Sequence, residues 1–311
     1  MIPFCKFCQE SDLEQAAFRL RQIVDVNRQS GQTKLRRLAV PNQAMRRLHQ
    51  TLLKWLRSEI KSANIYQLLV FHSYGAQLKR SPLLQIEQHL ANRFFFCLDL
   101  QGAYQNVDLE RLAKLAVQHL PKTFGRNPKQ AVKFLARYCS APGITGLAIG
   151  APASPDLFNF YRAATLDDSL RLLAQEHGLT YTNYLDDLCF SSRERIGKNK
   201  RQKILAAVRH AGFLVKDQKI QVVDSAKNAV VICGLGLRNR RLFVPRRYLQ
   251  TCKGLLLLAL DEPPAFQRQV AGVMSVLRQC QKRFILKNRL LRDIKKLHTE
   301  FQKSLKSASA V

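Results

Sequence analysis

Apolar positions recur at helical spacing over residues 10–30 and again over 43–62. In the second stretch Leu48, Leu52 and Leu56 share one face while Arg46, Arg47, Lys54 and Arg57 fall largely elsewhere, which predicts an amphipathic helix on a core. Between the two stretches TKLRRLAVP reads as a basic loop ending at Pro41, and HSYGAQLKRSPLL (72–84), with its Gly, Ser and Pro breakers, as another loop. The period then changes. RFFFCLDLQGAY carries a continuous apolar run at 94–98 between Arg93 and Asp99, predicting a buried strand that ends in a carboxylate. Helices are expected at roughly 107–120 and 128–138. ITGLAIGAPASPDLFNFYRAAT begins as a Gly/Pro-rich loop and turns helical near Ser154, with Pro155 at the first helical position and Asp156 at the positive end of the dipole. Residues 168–177 read as a helix ending at Gly178, and YTNYLDDLCFSS (181–192) as strand, tight turn, strand. A basic helix at 198–210 leads to VKDQKIQVV and AVVICGLGL, which read as short strands. From about 246 onward the pattern is helical, with Leu290, Ile294, Leu297 and Phe301 in a stripe and Lys287, Arg292, Lys295, Lys296 and Lys303 mostly off it.

Charge changes the picture most. The 311 residues hold 51 Lys+Arg against 22 Asp+Glu, a formal net charge of +29, with 14 against 4 in residues 246–311. Such a balance predicts attraction to a polyanion with steep salt dependence. The basic residues are spread along the chain instead of lining one amphipathic segment, which favours nucleic acid over a membrane surface. The longest apolar run, GLLLLAL at 254–260, is far below the ~18 residues of a membrane span. MIPFCKFCQE lacks a signal-peptide pattern, so a cytoplasmic protein with eight reduced cysteines is expected. Cys5 and Cys8 have CxxC spacing without a second pair to complete a zinc site, and Cys97 and Cys189 read as small core residues.

Against this background two adjacent aspartates, Asp186 and Asp187, stand at a hairpin tip without a neighbouring glycine. Like charges this close raise each other's pKa, and a divalent cation removes that cost. Mg²⁺ is hard, takes oxygen ligands and typically binds one or two carboxylates plus substrate phosphates. Asp99 ends its strand 87 positions earlier. If that strand neighbours the hairpin, the three carboxylates converge on one site where two metals ~3.5–4 Å apart serve an in-line displacement. The other acidic pair, Asp167–Asp168, precedes a helical stretch and reads as a helix start.

Taken together these residues resemble the polymerase palm of reverse transcriptases. Tyr184-Leu185-Asp186-Asp187 is similar to the YxDD box, and Asp99 in LDLQGAY matches the first palm aspartate. Tyr104 falls where the family has an aromatic steric gate against the ribose 2′-OH. GLAIGAPASPDLFNFY looks like the LPQG-x-x-x-SP-x-L-x-N box through Gly150, Ser154, Pro155, Leu157 and Asn159, and GFLVKDQK like the next, where Lys219 would approach the triphosphate. RRLAVP and LKRS resemble fingers segments, with Lys79 and Arg80 as candidate phosphate contacts. The small retron reverse transcriptases are most similar, with QIEQH ending at His89 ten residues before Asp99. The sequence departs from them at Ile232-Cys233-Gly234 in place of Val-Thr-Gly, and it lacks the first motif's Asn-Ala pair. Ile149 replaces the usual Gln of the LPQG box, as in diversity-generating, error-prone enzymes, which usually have Gln where this chain has Pro155.

The resemblance implies an α+β right-hand polymerase: an N-terminal helical segment (1–30), fingers and palm (31–245) with an antiparallel sheet carrying the YxDD hairpin, and a helical basic thumb (246–311). It implies an RNA-directed DNA polymerase using Mg²⁺, two per site, held by Asp99, Asp186 and Asp187. Leu100, Gln101, Tyr104, Ile149, Gly150, Lys79, Arg80 and Lys219 are the expected dNTP contacts. Arg36, Arg37, Lys287, Arg292, Lys295 and Lys296 are the expected RNA contacts. The implied partners are a cognate structured RNA serving as template and primer, its short multicopy DNA product, dNTPs, and an effector protein encoded nearby with a role in antiphage defence. The alternatives are a reverse transcriptase of another bacterial element, diversity-generating and error-prone, and a basic RNA-binding protein with a silent palm.

Overall fold

The computed structural model describes residues 2–26, 33–283 and 289–308. Its N-terminal elements depart from the sequence pattern. Helix α1 (Glu10–Gln15) ends at Ala16, and the chain continues as strand β1 (Phe18–Val26), antiparallel to β2 (Thr33–Pro41) with Phe18 opposite Pro41. The helix expected across 10–30 and the loop expected at TKLRRLAVP are therefore the two arms of one hairpin, and a domain boundary at residue 30 would cut it. Arg19 and Arg21 alternate with Leu20 and Ile23 loosely enough to suit either period. Pairing decides, because β2 is itself held by a hydrogen bond from Ala39 N–H to the Ile149 carbonyl at 2.8 Å.

Helix α2 (Gln43–Ile60) starts where Asn42 caps it, its Oδ1 accepting from Met45 N–H at 2.9 Å and its Nδ2 donating to the Gln15 carbonyl at 2.7 Å. Leu48, Leu52 and Leu56 are fully buried as their spacing predicts, each worth about 1.5–3 kcal/mol of transfer free energy. Helices α3 (Tyr66–His72) and α4 (Pro82–Glu87) flank the loop that carries Lys79.

Strand β3 (Phe94–Asp99) is followed by α5 (Leu109–His119), α6 (Pro121–Phe124), α7 (Pro128–Phe134), α8 (Ser154–Arg162), α9 (Asp168–Glu176), β4 (Thr180–Tyr184), β5 (Asp187–Ser192), α10 (Lys198–His210) and β6 (Gln221–Asp224). The four strands form one antiparallel sheet in the order β4-β5-β3-β6. Its period-two alternation divides the core. Phe96, Leu98, Leu188 and Phe190 face the large cluster built on α2, α5 and α8, whereas Phe95 and Cys189 face a second cluster. That second cluster joins β7 (Val230–Ile232), β8 (Leu235–Arg238) and β9 (Arg241–Phe243) to the C-terminal helices α11 (Arg246–Asp261), α12 (Pro263–Arg283) and α13 (Arg289–Ala308). On α13 Ile294 and Phe301 are buried, with Leu290 and Leu297 packed beside them.

The Asp167–Asp168 pair is not a helix start. Helix α8 continues through a π turn at Ala163–Asp167 into α9 without a break. Asp167 lies fully buried against Arg162 and the Tyr181 hydroxyl, and Asp168 pairs with Arg171 on the surface at 2.8 Å. Local propensity pointed to a cap; a partner five residues earlier in the chain claims the carboxylate instead.

Candidate active site

The register of the central sheet brings the three aspartates together. Asp99 at the end of β3 stands opposite Asp187 at the start of β5, and Leu100 N–H donates to the Asp186 carbonyl at 2.9 Å. Two hydroxyl-rich positions fix the rear of the hairpin: the buried His89 ring contacts Thr182 Oγ1 at 2.7 Å and Ser191 Oγ at 2.6 Å, bridging β4 and β5. Burial lowers the His89 pKa to about 3, so the ring is a neutral structural bridge.

Asp99 and Asp186 open on a cleft of about 470 Å³ that is also lined by Leu100, Tyr104, Ile149 and Leu185 and by the cationic Arg37, Lys216 and Lys219, while Asp187 is not among its lining residues. Tyr104 packs its ring on Phe158, centroids 5.2 Å apart. Burial, and then the Asp186 carboxylate, push its hydroxyl pKa up, so Tyr104 presents a neutral ring to the cleft. Gly150, an expected dNTP contact, does not line the cleft but supports it from behind: its φ is +101°, and a Cβ there would stand 2.8 Å from the Ala39 carbonyl oxygen. Only glycine permits β2 to dock on this loop, which is what sets Ile149 and Arg37 along one cleft.

Electrostatics at the site are unfavourable to three free carboxylates. Asp186 is raised by burial and by Asp99, against a backbone hydrogen bond and two lysines that lower it. Asp187 is exposed as a residue, yet the protein atoms gathered around its carboxyl, then Asp186 and Asp99, push it up to about 6. Asp99 is held by Lys216 Nζ at 3.0 Å and Lys219 Nζ at 2.7 Å. Burial lowers the Lys219 pKa, but its hydrogen bond and charge pairing with Asp99 dominate and raise it. With Asp99 turned to the lysines, no group of three His, Cys, Asp or Glu side chains among the described residues closes to metal-ligating distance. The donor set nonetheless fits a hard divalent cation. It is all carboxylate oxygen at the adjoining ends of β3 and β5, and the burial and mutual repulsion that raise Asp186 and Asp187 are costs such an ion relieves.

Not every expected contact is gathered here. Gln101 is exposed, with its N–H bonded to the Leu214 carbonyl at 2.7 Å, and it does not line the cleft. Lys79 is exposed on its loop, and Arg80 is spent locally: it stacks over Tyr74 at 4.8 Å and donates to the Val70 carbonyl. The arrangement gives Arg80 a stacking and carbonyl partner near its own position, and the cleft rim is supplied from Arg37, Lys216 and Lys219. Lys216 was not singled out from the sequence. Its signal is the spacing KDQK, since residues three apart on a 3₁₀ turn project to one side. Arg37, expected as an RNA contact, lines the cleft. On α13 Arg292, Lys295 and Lys296 are exposed; the Arg36 side chain and Lys287 lie outside the described residues.

The family model for reverse transcriptase (RNA-dependent DNA polymerase) matches residues 26–236. The chain belongs to the reverse transcriptase family. It is 23% identical over 231 residues to the retron Ec86 reverse transcriptase of Escherichia coli, covering 74% of this chain and 67% of that one. It is 27% identical over 157 residues to the retron Ec83 reverse transcriptase of the same organism, covering 49% and 50%. The retron Mx65 reverse transcriptase of Myxococcus xanthus is 28% identical over 209 residues, covering 63% of this chain and 46% of that one. The matches thus span about half to two thirds of these relatives' lengths. Among solved structures, telomerase from Candida albicans in complex with a TWJ fragment of telomeric RNA aligns at a TM-score of 0.51 with 10% identity, over 96% of this chain and 58% of that one. Its counterpart from Candida tropicalis aligns at 0.52 with 10% identity, over 94% and 54%. At that identity the likeness establishes the fold, a right-hand polymerase. By family this reverse transcriptase is an RNA-directed DNA polymerase, similar to the retron enzymes of bacteria.

Two expectations arise from this geometry. Between pH 4 and 6 the native Asp187, raised to about 6, binds more protons than in the unfolded chain, so this group's contribution to stability falls as pH rises through that window. A divalent cation competes with the proton. Thermal melting of the reverse transcriptase should therefore show a larger gain from Mg²⁺ at pH 7.5 than at pH 5, and equal gains would place the ion elsewhere. Reversing Arg292 and Lys296 together to Glu should weaken template–primer binding and flatten the slope of log K against log salt by about one for each phosphate no longer neutralised. An unchanged slope would make that face merely solvated.

Proposed function

We propose that this reverse transcriptase works as a retron enzyme. It copies a cognate structured RNA, which also supplies the primer, into a short, multicopy, RNA-linked DNA, in a defence against phage that involves an effector protein encoded nearby. The observation that carries the catalytic part is the register that sets Asp99 opposite Asp187 with Asp186 bonded across the tip, at the mouth of a cleft with an aromatic wall and a cationic rim. The similarity to three retron enzymes supports the retron part.

In this reading Asp99, Asp186 and Asp187 would hold Mg²⁺, two ions per site, and the ions would supply activation of the primer 3′-hydroxyl and charge neutralisation for the leaving pyrophosphate. The chain's own residues do the rest. Lys219 and Lys216 leave Asp99 for the incoming triphosphate, Arg37 of the same cleft meets it as well, and Leu100 and Tyr104 form the wall beneath the sugar. Ile149 offers the base an apolar contact where most of the family has an amide. Basic residues of α13, Arg292, Lys295 and Lys296, follow the backbone of the RNA.

The test is purification from cells that carry the native locus, beside an Asp186→Ala/Asp187→Ala copy, with sequencing of the bound nucleic acid. One discrete short DNA joined to a structured RNA, absent from the double variant, is the expected result. DNA products copied from many unrelated templates would overturn the retron assignment, and RNA without DNA in both samples would overturn the polymerase role in the cell.

A further inference from the structure

The tip of the aspartate hairpin is in a conformation its sequence does not favour. Leu185 has φ +56°, the left-handed region that a turn normally gives to glycine, asparagine or aspartate. A leucine stays there only if its surroundings hold it. Those surroundings centre on one side chain. Arg162, the last residue of α8, is the largest fully buried side chain of the described residues. Its Nη1 donates to the Leu185 carbonyl, its Nη2 to Asn183 Oδ1 at 2.6 Å and Ser73 Oγ at 2.7 Å, and its Nε to both oxygens of Asp167 at 3.1 and 3.2 Å. The ring of partners is closed behind it, since the Tyr181 hydroxyl donates to Asp167 at 2.8 Å and Asn183 Nδ2 donates to Tyr181 Oη at 3.2 Å.

A second clamp acts from the other side. Tyr74 N–H donates to the Asn183 carbonyl at 2.9 Å, and Asn159 Nδ2, also on α8, holds the Gly75 carbonyl at 2.8 Å. A Cβ on Gly75 would stand 2.8 Å from Leu185 Cγ and 3.0 Å from the Leu185 nitrogen. Burying an ion pair costs more than filling the same space with apolar groups, so packing alone gives no reason for a guanidinium here. Its reach does: one planar group bonds the Leu185 carbonyl just before Asp186 and the side chain of Asn183 on β4, which fixes the turn's height and twist together.

We propose that Arg162 is the positioning residue of the aspartate turn. Its guanidinium holds Leu185 in the left-handed conformation, and through that turn holds Asp186 and Asp187 in the orientation that DNA synthesis requires. The inference rests on the proposed roles of those two aspartates. Helix α8 thereby links the loop carrying Ile149, which feeds its first turn, to the tip carrying the carboxylates.

Arg162→Lys keeps a positive charge beside Asp167 but cannot reach Asn183, Ser73 and the Leu185 carbonyl at once. On a poly(rA)–oligo(dT) template–primer, kcat for dTTP addition should fall about 10²-fold, the scale of an ångström-level misplacement, while KM for dTTP and template–primer affinity move less than about threefold. Adding Leu185→Gly to Arg162→Lys should return about tenfold of the loss, because glycine adopts the left-handed turn without being held. A merely structural role for Arg162 would lower the melting temperature and the active fraction, and glycine at the tip would not repair either. Wild-type kcat in Arg162→Lys, or a loss that Leu185→Gly leaves unrelieved, overturns the proposal. If Arg162→Lys yields no soluble protein, Ser73→Ala, which removes one acceptor from the same guanidinium, takes its place in the cycle with the same reading. Asp186→Ala runs alongside. Full activity in that variant would break the underlying assignment of the aspartates, whereas an inactive Asp186→Ala beside a fully active Arg162→Lys would break only the positioning role.

Discussion

Asp186→Ala should reduce DNA synthesis on a primed RNA template by at least about 10³-fold, because in the proposed mechanism it removes a metal ligand from the charge-stabilising centre of the reaction and several kcal/mol of barrier lowering with it. Template–primer affinity should stay within about twofold, since the basic residues proposed to bind it, on α13, lie on other elements than the β4–β5 tip. Asp99→Ala should behave alike in synthesis, with a difference in stability. It also strands Lys216 and Lys219, which pair with Asp99 at 3.0 and 2.7 Å, whereas Asp186 and Asp187 sit with raised pKa values and lose repulsion when neutralised. Asp186→Ala should therefore melt at or above the wild-type temperature in the absence of divalent cations. Primer extension at the wild-type rate in either variant would remove the aspartates from the chemistry.

Tyr104→Ala should let ribonucleotides compete with deoxynucleotides, lowering sugar discrimination by roughly 10²-fold, the scale on which one wall of a binding pocket discriminates. The proposed gate acts by exclusion and not by hydrogen bonding: the ring packs at a tilt of 37° against Phe158, centroids 5.2 Å apart, and the Tyr104 backbone carbonyl accepts from Leu147 N–H at 2.8 Å, so ring and main chain are both braced against retreat from a 2′-hydroxyl. Tyr104→Phe keeps the ring and should keep the discrimination, which separates steric exclusion from any role of the hydroxyl. Ratios of kcat/KM for a dNTP and its ribonucleotide counterpart measure both. Unchanged discrimination in Tyr104→Ala would move the gate to another wall of the cleft.

Much of the site could be read from the chain because its residue types have few other uses. Asp186 and Asp187 adjacent at an apolar tip, and Asp99 closing an apolar run, carry a cost that only a cation or a partner lifts, and that cost is visible without coordinates. The helices α2, α8, α10 and α13 were legible for a related reason, since their apolar stripes or end signals are local. The β1–β2 hairpin was not, because its apolar residues suit either period and only pairing with β2, docked on Ile149 and Gly150, settles the choice. Arg80 and Lys79 illustrate the converse: a motif names residue types, but a nearby aromatic ring and carbonyl took the guanidinium.

What the sequence by itself determined is the set of chemical parts: three carboxylates, a tyrosine five residues after the first of them, a cationic chain suited to RNA, and the order of boxes that marks a reverse transcriptase. What only the tertiary structure decided is which parts meet. The sheet order β4-β5-β3-β6 puts Asp99 across from Asp187, a 3₁₀ turn adds Lys216 to Lys219, and Arg162, unremarkable in the sequence beside Asp167, reaches Leu185. The physical reason is the range of the forces. Solvation cost and periodicity belong to a residue and its neighbours in sequence, whereas a hydrogen bond to a carbonyl 23 positions away exists only once folding has supplied its partner.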